Sequence, residues 1–132
     1  MPMVTARGNI DLPLQLTSLR GKERRRQVEA SSELVGMSHR LKHRPRELSG
    51  GEQHRIAIAR AIAADPPLLL CDEPTGDLDR ASSQAILTVL QKLALEREKT
   101  VIMVTHDPEA ATYADRIFQF NKGDLEEAAN SE

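Results

Sequence analysis

The sequence predicts an α/β fold built on a parallel sheet, and two short apolar runs with a helical segment between them carry this prediction. The runs occupy residues 68–71 and 100–104, and neither contains a charged side chain. Runs of this kind are typical of strands that are buried on both faces. Between them, Ile86, Leu90 and Leu93 form an apolar stripe at helical spacing. Because strands that alternate with helices form parallel sheets with crossovers, we expect a parallel sheet flanked by helices.

Two helices are predicted before the first strand, and a third strand after the second. Residues 22–35 are read as a helix with a basic start and only a partial apolar stripe. Ser49 begins the next helix, because Ser49 and Glu52 have the spacing of a capping box, in which each side chain satisfies a backbone amide. Residues 56–64 are nearly all apolar, so we expect this helix to be buried on most sides. Residues 116–120 form the third predicted strand.

The composition fits a single domain that does not bind nucleic acid. The chain has 132 residues and a net charge of -2. Residues 1–64 carry 12 basic and 6 acidic side chains, whereas residues 65–132 carry 6 basic and 14 acidic ones. A basic half can contact nucleic acid or anionic lipid, but only 2% of the residues are aromatic, which argues against single-strand binding. We therefore interpret the basic side chains as a solvated helical surface.

The cysteine count and the apolar runs bear on the cellular compartment. Cys71 is the single cysteine, so no intramolecular disulfide can form, and a reducing compartment is favoured. No apolar run approaches the roughly 20 residues that a membrane-spanning helix needs. The N-terminus also lacks the basic and apolar pattern of a signal peptide. Any association with a membrane is therefore expected to come through a partner.

Two adjacent acids, Asp72 and Glu73, directly follow the first predicted strand. The end of such a strand lies at the sheet edge where α/β proteins bind ligands. If the strand geometry persists to its end, the two carboxylates point to opposite sides. One of them can then hold a metal while the other handles a proton or a water, as phosphoryl transfer requires.

Four short motifs resemble those of ABC-type ATPases, the nucleotide-binding subunits of ABC transporters. Residues 48–53 (Leu-Ser-Gly-Gly-Glu-Gln) match the signature motif, and residues 68–73 match the Walker B strand with its glutamate. Residues 76–79 lie where the D-loop belongs, and residues 105–107 match the switch histidine. The motifs occur in family order and at family-like spacing. The amino-acid sequence in and around these motifs is most similar to the lipoprotein-release and macrolide-export branch of the family.

The resemblance implies a role for each motif residue, with ATP and Mg²⁺ as cofactors. Asp72 resembles the acid that holds Mg²⁺ directly or through water. Glu73 resembles the general base that polarises the attacking water, and His106 resembles the residue that contacts the γ-phosphate and orients that water. The residues implied in nucleotide binding are Ser49, Gly50, Gly51, Glu52, Gln53 and Asp79.

The resemblance also implies a fold, a division of the chain and partners. The expected fold is a partial P-loop NTPase of the ABC ATPase type, with a parallel sheet, flanking helices and a helical subdomain. Residues 1–48 are assigned to the helical subdomain, 49–125 to the signature helix and the C-terminal half of the ATPase core, and 126–132 to a disordered tail. The expected partners are a second ATPase subunit in a head-to-tail dimer and a transmembrane permease. The expected location is cytoplasmic, on the cytoplasmic face of the membrane.

The sequence lacks parts of the family pattern. The Gly-x-x-x-x-Gly-Lys-Ser/Thr loop that cradles phosphates has no counterpart here, and the Q-loop glutamine is missing too. We therefore expect the chain to be the C-terminal portion of such an ATPase, without its Walker A half. Because nothing then cradles the phosphates, we expect the chain alone not to turn over ATP.

Two alternative functions remain open on the sequence. One is an ABC-type ATPase of DNA repair or translation, in which the basic half faces nucleic acid. A steep dependence of nucleic-acid binding on salt concentration distinguishes this alternative. The other is a non-catalytic, degenerate module.

Overall fold

The structure is a computed structural model that describes residues 3–128. It contains five α-helices and four strands within that range. The helices are α1 (Ala6–Asp11), α2 (Gly21–Leu34), α3 (Gly50–Ile62), α4 (Arg80–Glu96) and α5 (Pro108–Ala111). The strands are β1 (Leu68–Asp72), β2 (Thr100–Val104), β3 (Phe118–Asn121) and β4 (Asp124–Glu127). Short 3-10 helices occupy Leu12–Leu16, Ser38–Arg40 and Pro45–Glu47.

The predicted parallel sheet is confirmed for the first two strands. β1 pairs with β2 in parallel, with Leu69 opposite Val101, and α4 makes the crossover between them. The third predicted strand does not join this sheet. It forms β3, which pairs antiparallel with β4 through a turn at Lys122 and Gly123. Because a tight turn joins β3 to the strand that follows it, the two form a local hairpin.

The hairpin revises the interpretation of the chain's end. Residues 126–132 were expected to form a disordered tail. Glu126 and Glu127 instead lie in β4, opposite Gln119 and Phe118. Residues 129–132 lie outside the part of the chain that the structure describes.

The expectation that β1 and β2 are buried on both faces is wrong. Leu69 is 5% exposed, whereas its neighbour Leu70 is 73% exposed, and Ile102 on β2 is 51% exposed. The inner face packs against α4, and Val101 and Met103 contribute to this packing. Within residues 3–128 no layer covers the other face, so successive side chains of each strand alternate between core and solvent.

One apolar cluster joins the helices to the inner face of the sheet. Its most deeply buried members include Ile10, Leu14, Val28, Met37 and Ile86. α3 lies between the N-terminal helices and α4 but is not buried on most sides. Its core-facing residues are Ile56, Ile58, Ala59 and Ile62, while Ala57, Arg60 and Ala61 are exposed. Two apolar residues of this helix, Ala57 and Ala61, therefore lie on its solvent-facing side together with Arg60.

None of the helices that the structure describes combines the length and the hydropathy that crossing a membrane requires.

Candidate functional site

Glu73 lies just beyond the carboxyl end of β1, in a backbone conformation that is unusual for its residue type. Its φ is +45°, in the left-handed region, although its amide still donates to the carbonyl of Val104 at 2.8 Å. A non-glycine residue in this region is uncommon and marks sites where the surroundings impose the conformation. The extended strand geometry therefore ends at Asp72. The expectation that the Asp72 and Glu73 carboxylates point to opposite sides depended on that geometry continuing through Glu73. The turn instead directs Glu73 toward the residues that follow β2.

Three groups from the segment after β2 contact the Glu73 carboxylate. Oε1 accepts from the backbone amide of His106 at 3.1 Å and lies 2.8 Å from its Nδ1. Oε2 accepts from the hydroxyl of Thr105 at 3.3 Å. The bond from the His106 side chain is the main reason that the pKa of Glu73 lies below its ordinary value. The same bond raises the pKa of His106. An ionised Glu73 thus stabilises a protonated His106.

The titration of His106 tests this pairing. We expect its NMR midpoint to lie above the ordinary value of 6.5, because the paired carboxylate stabilises the imidazolium. The contribution of His106 to stability is present at low pH and lost as pH rises through the raised pKa. That of Glu73 is present above its ordinary pKa and lost as pH falls through the lowered one. The pair is therefore intact between the two folded-state pKa values.

Glu73→Gln is the informative variant for this titration. It removes the charge, so the His106 midpoint is expected to fall toward 6.5. Asp72→Asn is a matched control, because Asp72 is the adjacent acid and is not among the causes of the His106 shift. If the midpoint is the same in Glu73→Gln as in the parent chain, the pairing is absent in solution.

The predicted signature turn, residues 48–53, begins α3 with a complete capping box. Glu52 N donates to Ser49 Oγ at 3.2 Å, and Ser49 N donates to Glu52 Oε2 at 2.9 Å. The second bond is the main reason that the pKa of Glu52 is lowered. Gln53 reaches back to the segment that precedes the helix, where its Nε2 donates to the carbonyls of Pro45 and Leu48. Ser49 and Gly50 are exposed.

Asp79 ends the predicted D-loop, residues 76–79, and caps α4. Its Oδ1 accepts from Ser82 N and its Oδ2 accepts from Ser82 Oγ, both at 2.9 Å. These bonds lower the pKa of Asp79, the backbone bond most of all. Asp79 is therefore the N-cap of α4, and both carboxylate oxygens of this exposed side chain are engaged within its own chain.

The predicted site residues thus fall into two groups. The first comprises Glu73 and His106 at the carboxyl ends of the two parallel strands, with Asp72 at the end of β1. The second comprises the signature turn and Asp79, which lie at the starts of α3 and α4. A bond of 2.9 Å from the His54 side chain to the carbonyl of Pro74 connects α3 to the segment that follows the first group.

Three contributors to the site were not predicted from the sequence. Thr105 lies inside the motif around His106, and a hydroxyl before that histidine was the available signal. Arg40 donates to Glu52 Oε1 at 3.1 Å from a position 12 residues upstream, and no helical or strand spacing indicates this contact. His54 lies within α3, and its acceptor is a backbone carbonyl. Every residue type carries such a carbonyl, so the sequence gives no signal for this contact.

Comparison with known proteins identifies the family. A family model described as "ABC transporter" matches residues 1–76. The chain belongs to this family. It is 41% identical over 130 residues to the uncharacterized ABC transporter ATP-binding protein MJ0796 of Methanocaldococcus jannaschii, covering 96% of this chain and 55% of that protein. It is 40% identical over 123 residues to the lipoprotein-releasing system ATP-binding protein LolD of Hydrogenovibrio crunogenus, covering 93% of this chain and 54% of that protein.

Solved structures confirm the fold class. The dimeric, post-hydrolysis structure of the MJ0796 ATP-binding cassette with ADP and phosphate matches with a TM-score of 0.82 and 38% identity. The match covers 96% of this chain and 56% of that one. The chain therefore has part of the ABC ATPase fold, and it spans about half the length of the curated relatives it matches. The similarity to the lipoprotein-release branch agrees with the LolD match.

Proposed function

We propose that this chain forms part of the ATP-binding subunit of an ABC transporter, in which ATP hydrolysis is coupled to transport through a membrane partner. The observation that carries the proposal is the Glu73 carboxylate held by His106 and Thr105 at the carboxyl ends of β1 and β2. This is the sheet edge where α/β proteins bind ligands. An acid oriented there by a histidine is suited to act on a water beside a bound phosphate.

The chemistry of the two partners follows from their pKa values. Because the pKa of Glu73 is lowered, the carboxylate is ionised at neutral pH and is a weak base. Its main contribution is then to orient and polarise the water through a hydrogen bond. Because the pKa of His106 is raised, its ring is more readily protonated than an ordinary imidazole. When it is protonated, this ring can stabilise the negative charge that develops on the transferred phosphoryl group.

Asp72 is the residue that we propose as the Mg²⁺ ligand. It is the last residue of β1 and is exposed. Magnesium is commonly bound in nucleotide sites by one or two carboxylates together with phosphate oxygens and water, so a single accessible carboxylate fits this donor set. When bound there, the ion neutralises charge on the phosphate oxygens.

The signature turn is proposed to act on a nucleotide held by a second subunit. The first amides of a helix lack intrahelical acceptors and attract anions, and Ser49 and Gly50 are exposed at the start of α3. Asp79 is proposed to lie at the same subunit interface. The dimeric state of the MJ0796 cassette supports a two-subunit arrangement.

Location and subdomain division are part of the same proposal. The name of the LolD relative, an ATP-binding protein of a lipoprotein-releasing system, supports a permease as the membrane partner. Binding to it keeps the subunit on the cytoplasmic face of the membrane. Residues 1–48 then form part of the helical subdomain, and the core begins with the signature helix.

A chimera tests the proposed dimer. It joins this chain to the part of MJ0796 that the chain does not cover, because MJ0796 is a dimeric cassette that binds ADP and phosphate. One heterodimer carries Ser49→Arg in one subunit and Glu73→Gln in the other, and a second carries both changes in the same subunit. If each signature turn acts on the partner's nucleotide, the first heterodimer has one intact composite site. The second has none, so the first is expected to hydrolyse more ATP.

Phosphate release is the measurement, and the unmodified chimera is the reference. Dimers with only one of the two changes show how much each single substitution lowers ATP hydrolysis. Equal hydrolysis in the two double-change heterodimers, or the reverse order, contradicts the proposal that the signature turn serves the partner subunit.

A further inference from the structure

Gly51 is buried, and what it faces is its own chain. A Cβ built on Gly51 would lie 2.8 Å from Ser82 Oγ and 2.9 Å from Ser82 Cβ. Both distances are shorter than side chains tolerate. The Ser82 hydroxyl cannot simply rotate away without losing its bond to Asp79 Oδ2 at 2.9 Å. Glycine is therefore required here because α3 and the start of α4 are in direct contact.

Two further contacts link the same two segments. A Cβ on Gly50 would lie 3.6 Å from Leu78 Cδ2, so the D-loop lies close to the start of α3. His54, one turn further along α3, lies 2.9 Å through its Nδ1 from the carbonyl of Pro74. A carbonyl can only accept, so His54 is the donor and Nδ1 carries the proton. Gly50 and Gly51 lie four and three residues before His54, so the three positions share one side of the first turn of α3.

We infer that His54 and Ser82 are positioning residues that hold the signature turn and the D-loop of one chain together as a single unit. The inference rests on the proposed function for the roles of those two segments. Its consequence is that a displacement of α3 also displaces Leu78 and Asp79. The signature turn and the D-loop then reach a shared nucleotide interface together.

The second subunit is not needed for this link. The contacts at Gly51 and His54 lie within one chain. A loss of either contact is therefore expected to loosen both segments even when no nucleotide and no partner are present. This separates the inference from the proposed function, because it can be tested on the chain by itself.

Amide hydrogen exchange of the 132-residue chain without nucleotide tests the link. His54→Leu removes the donor to Pro74, and His54→Gln supplies an amide donor in its place. In His54→Leu one partly buried hydrogen bond is lost, so we expect about two- to tenfold faster amide exchange at two residues. These are Gln53, which donates to Ser49, and Gly76, which donates to Glu73. Amides of α2 serve as the internal reference and are expected to be unchanged, and His54→Gln is expected to restore the parent rates.

A compensating pair at Gly51 provides the second test. Gly51→Ala is expected to accelerate exchange in both segments, because its methyl group overlaps Ser82. Ser82→Gly removes the overlapped atoms, so Gly51→Ala combined with Ser82→Gly is expected to be perturbed less than the two single changes together. Additive effects, faster exchange in only one segment, or a uniform increase that includes α2 overturns the inference.

Discussion

Leu70→Lys is expected to leave the chain folded and to reduce its self-association, whereas Leu69→Lys is expected to abolish cooperative folding. The two positions are adjacent, and the same side chain is introduced. Leu70 is 73% exposed, so a lysine there replaces apolar surface that faces water. Leu69 is 5% exposed and packs against the core cluster, so a lysine there places a charge among apolar side chains.

The magnitudes separate the two variants. An uncompensated buried charge costs several kcal/mol, which is comparable to the roughly 5–15 kcal/mol that stabilises a typical domain. The outer face, in contrast, exposes Leu68, Leu70, Ile102 and Val104 side by side. An apolar strand face with free edges favours association between copies, and lysine disfavours it.

Sedimentation velocity and thermal unfolding measure the two effects. The parent chain is expected to sediment as a mixture that shifts with concentration, and Leu70→Lys is expected to shift toward monomer with little change in melting. Leu69→Ala is a milder control, with an expected loss of about 2–5 kcal/mol. A parent chain that is a compact monomer with a sharp, reversible transition contradicts the prediction for the outer face.

Glu73→Gln in the chimera with MJ0796 is expected to lower the turnover of ATP by about 10²- to 10⁴-fold while ATP binding is retained. Loss of a side chain that accepts a hydrogen bond from the attacking water and steers its proton typically costs a factor of this size. The change preserves the shape of the side chain and removes its charge. The amide oxygen of glutamine can still accept a hydrogen bond, but without the negative charge it polarises the water less and holds the His106 ring less firmly.

Asp72→Asn separates the proposed metal-binding role of Asp72 from the role of Glu73 in orienting the water. Asp72 is proposed to hold Mg²⁺, so its variant is expected to weaken the part of ATP binding that depends on Mg²⁺. Glu73→Gln is expected to bind Mg-ATP like the parent chimera. Equilibrium binding with and without Mg²⁺, together with phosphate release, distinguishes the two. Normal turnover in both variants contradicts the assignment of this strand end as the catalytic site.

The sequence predicted the parts of the fold that depend on local chemistry. The two parallel strands, the helix between them and the capping box at Ser49 and Glu52 are present where expected. Apolar periodicity and capping depend on residues within one helical turn or one strand. Such residues are close in sequence, so the sequence alone is enough to recognise these signals. The spacing of the motifs likewise indicated the family, which the comparison confirmed.

Burial depends on what covers each surface, and only the tertiary structure decided it. The outer face of β1 has the same apolar composition as the inner one, so composition alone predicted burial for both. The orientation of Glu73 follows from its left-handed φ and from three donors more than 30 residues away. The requirement for glycine at position 51 similarly arises from Ser82 on another helix. These features come from contacts between segments distant in the chain, whereas the sequence by itself determined which local elements and motifs were available to make them.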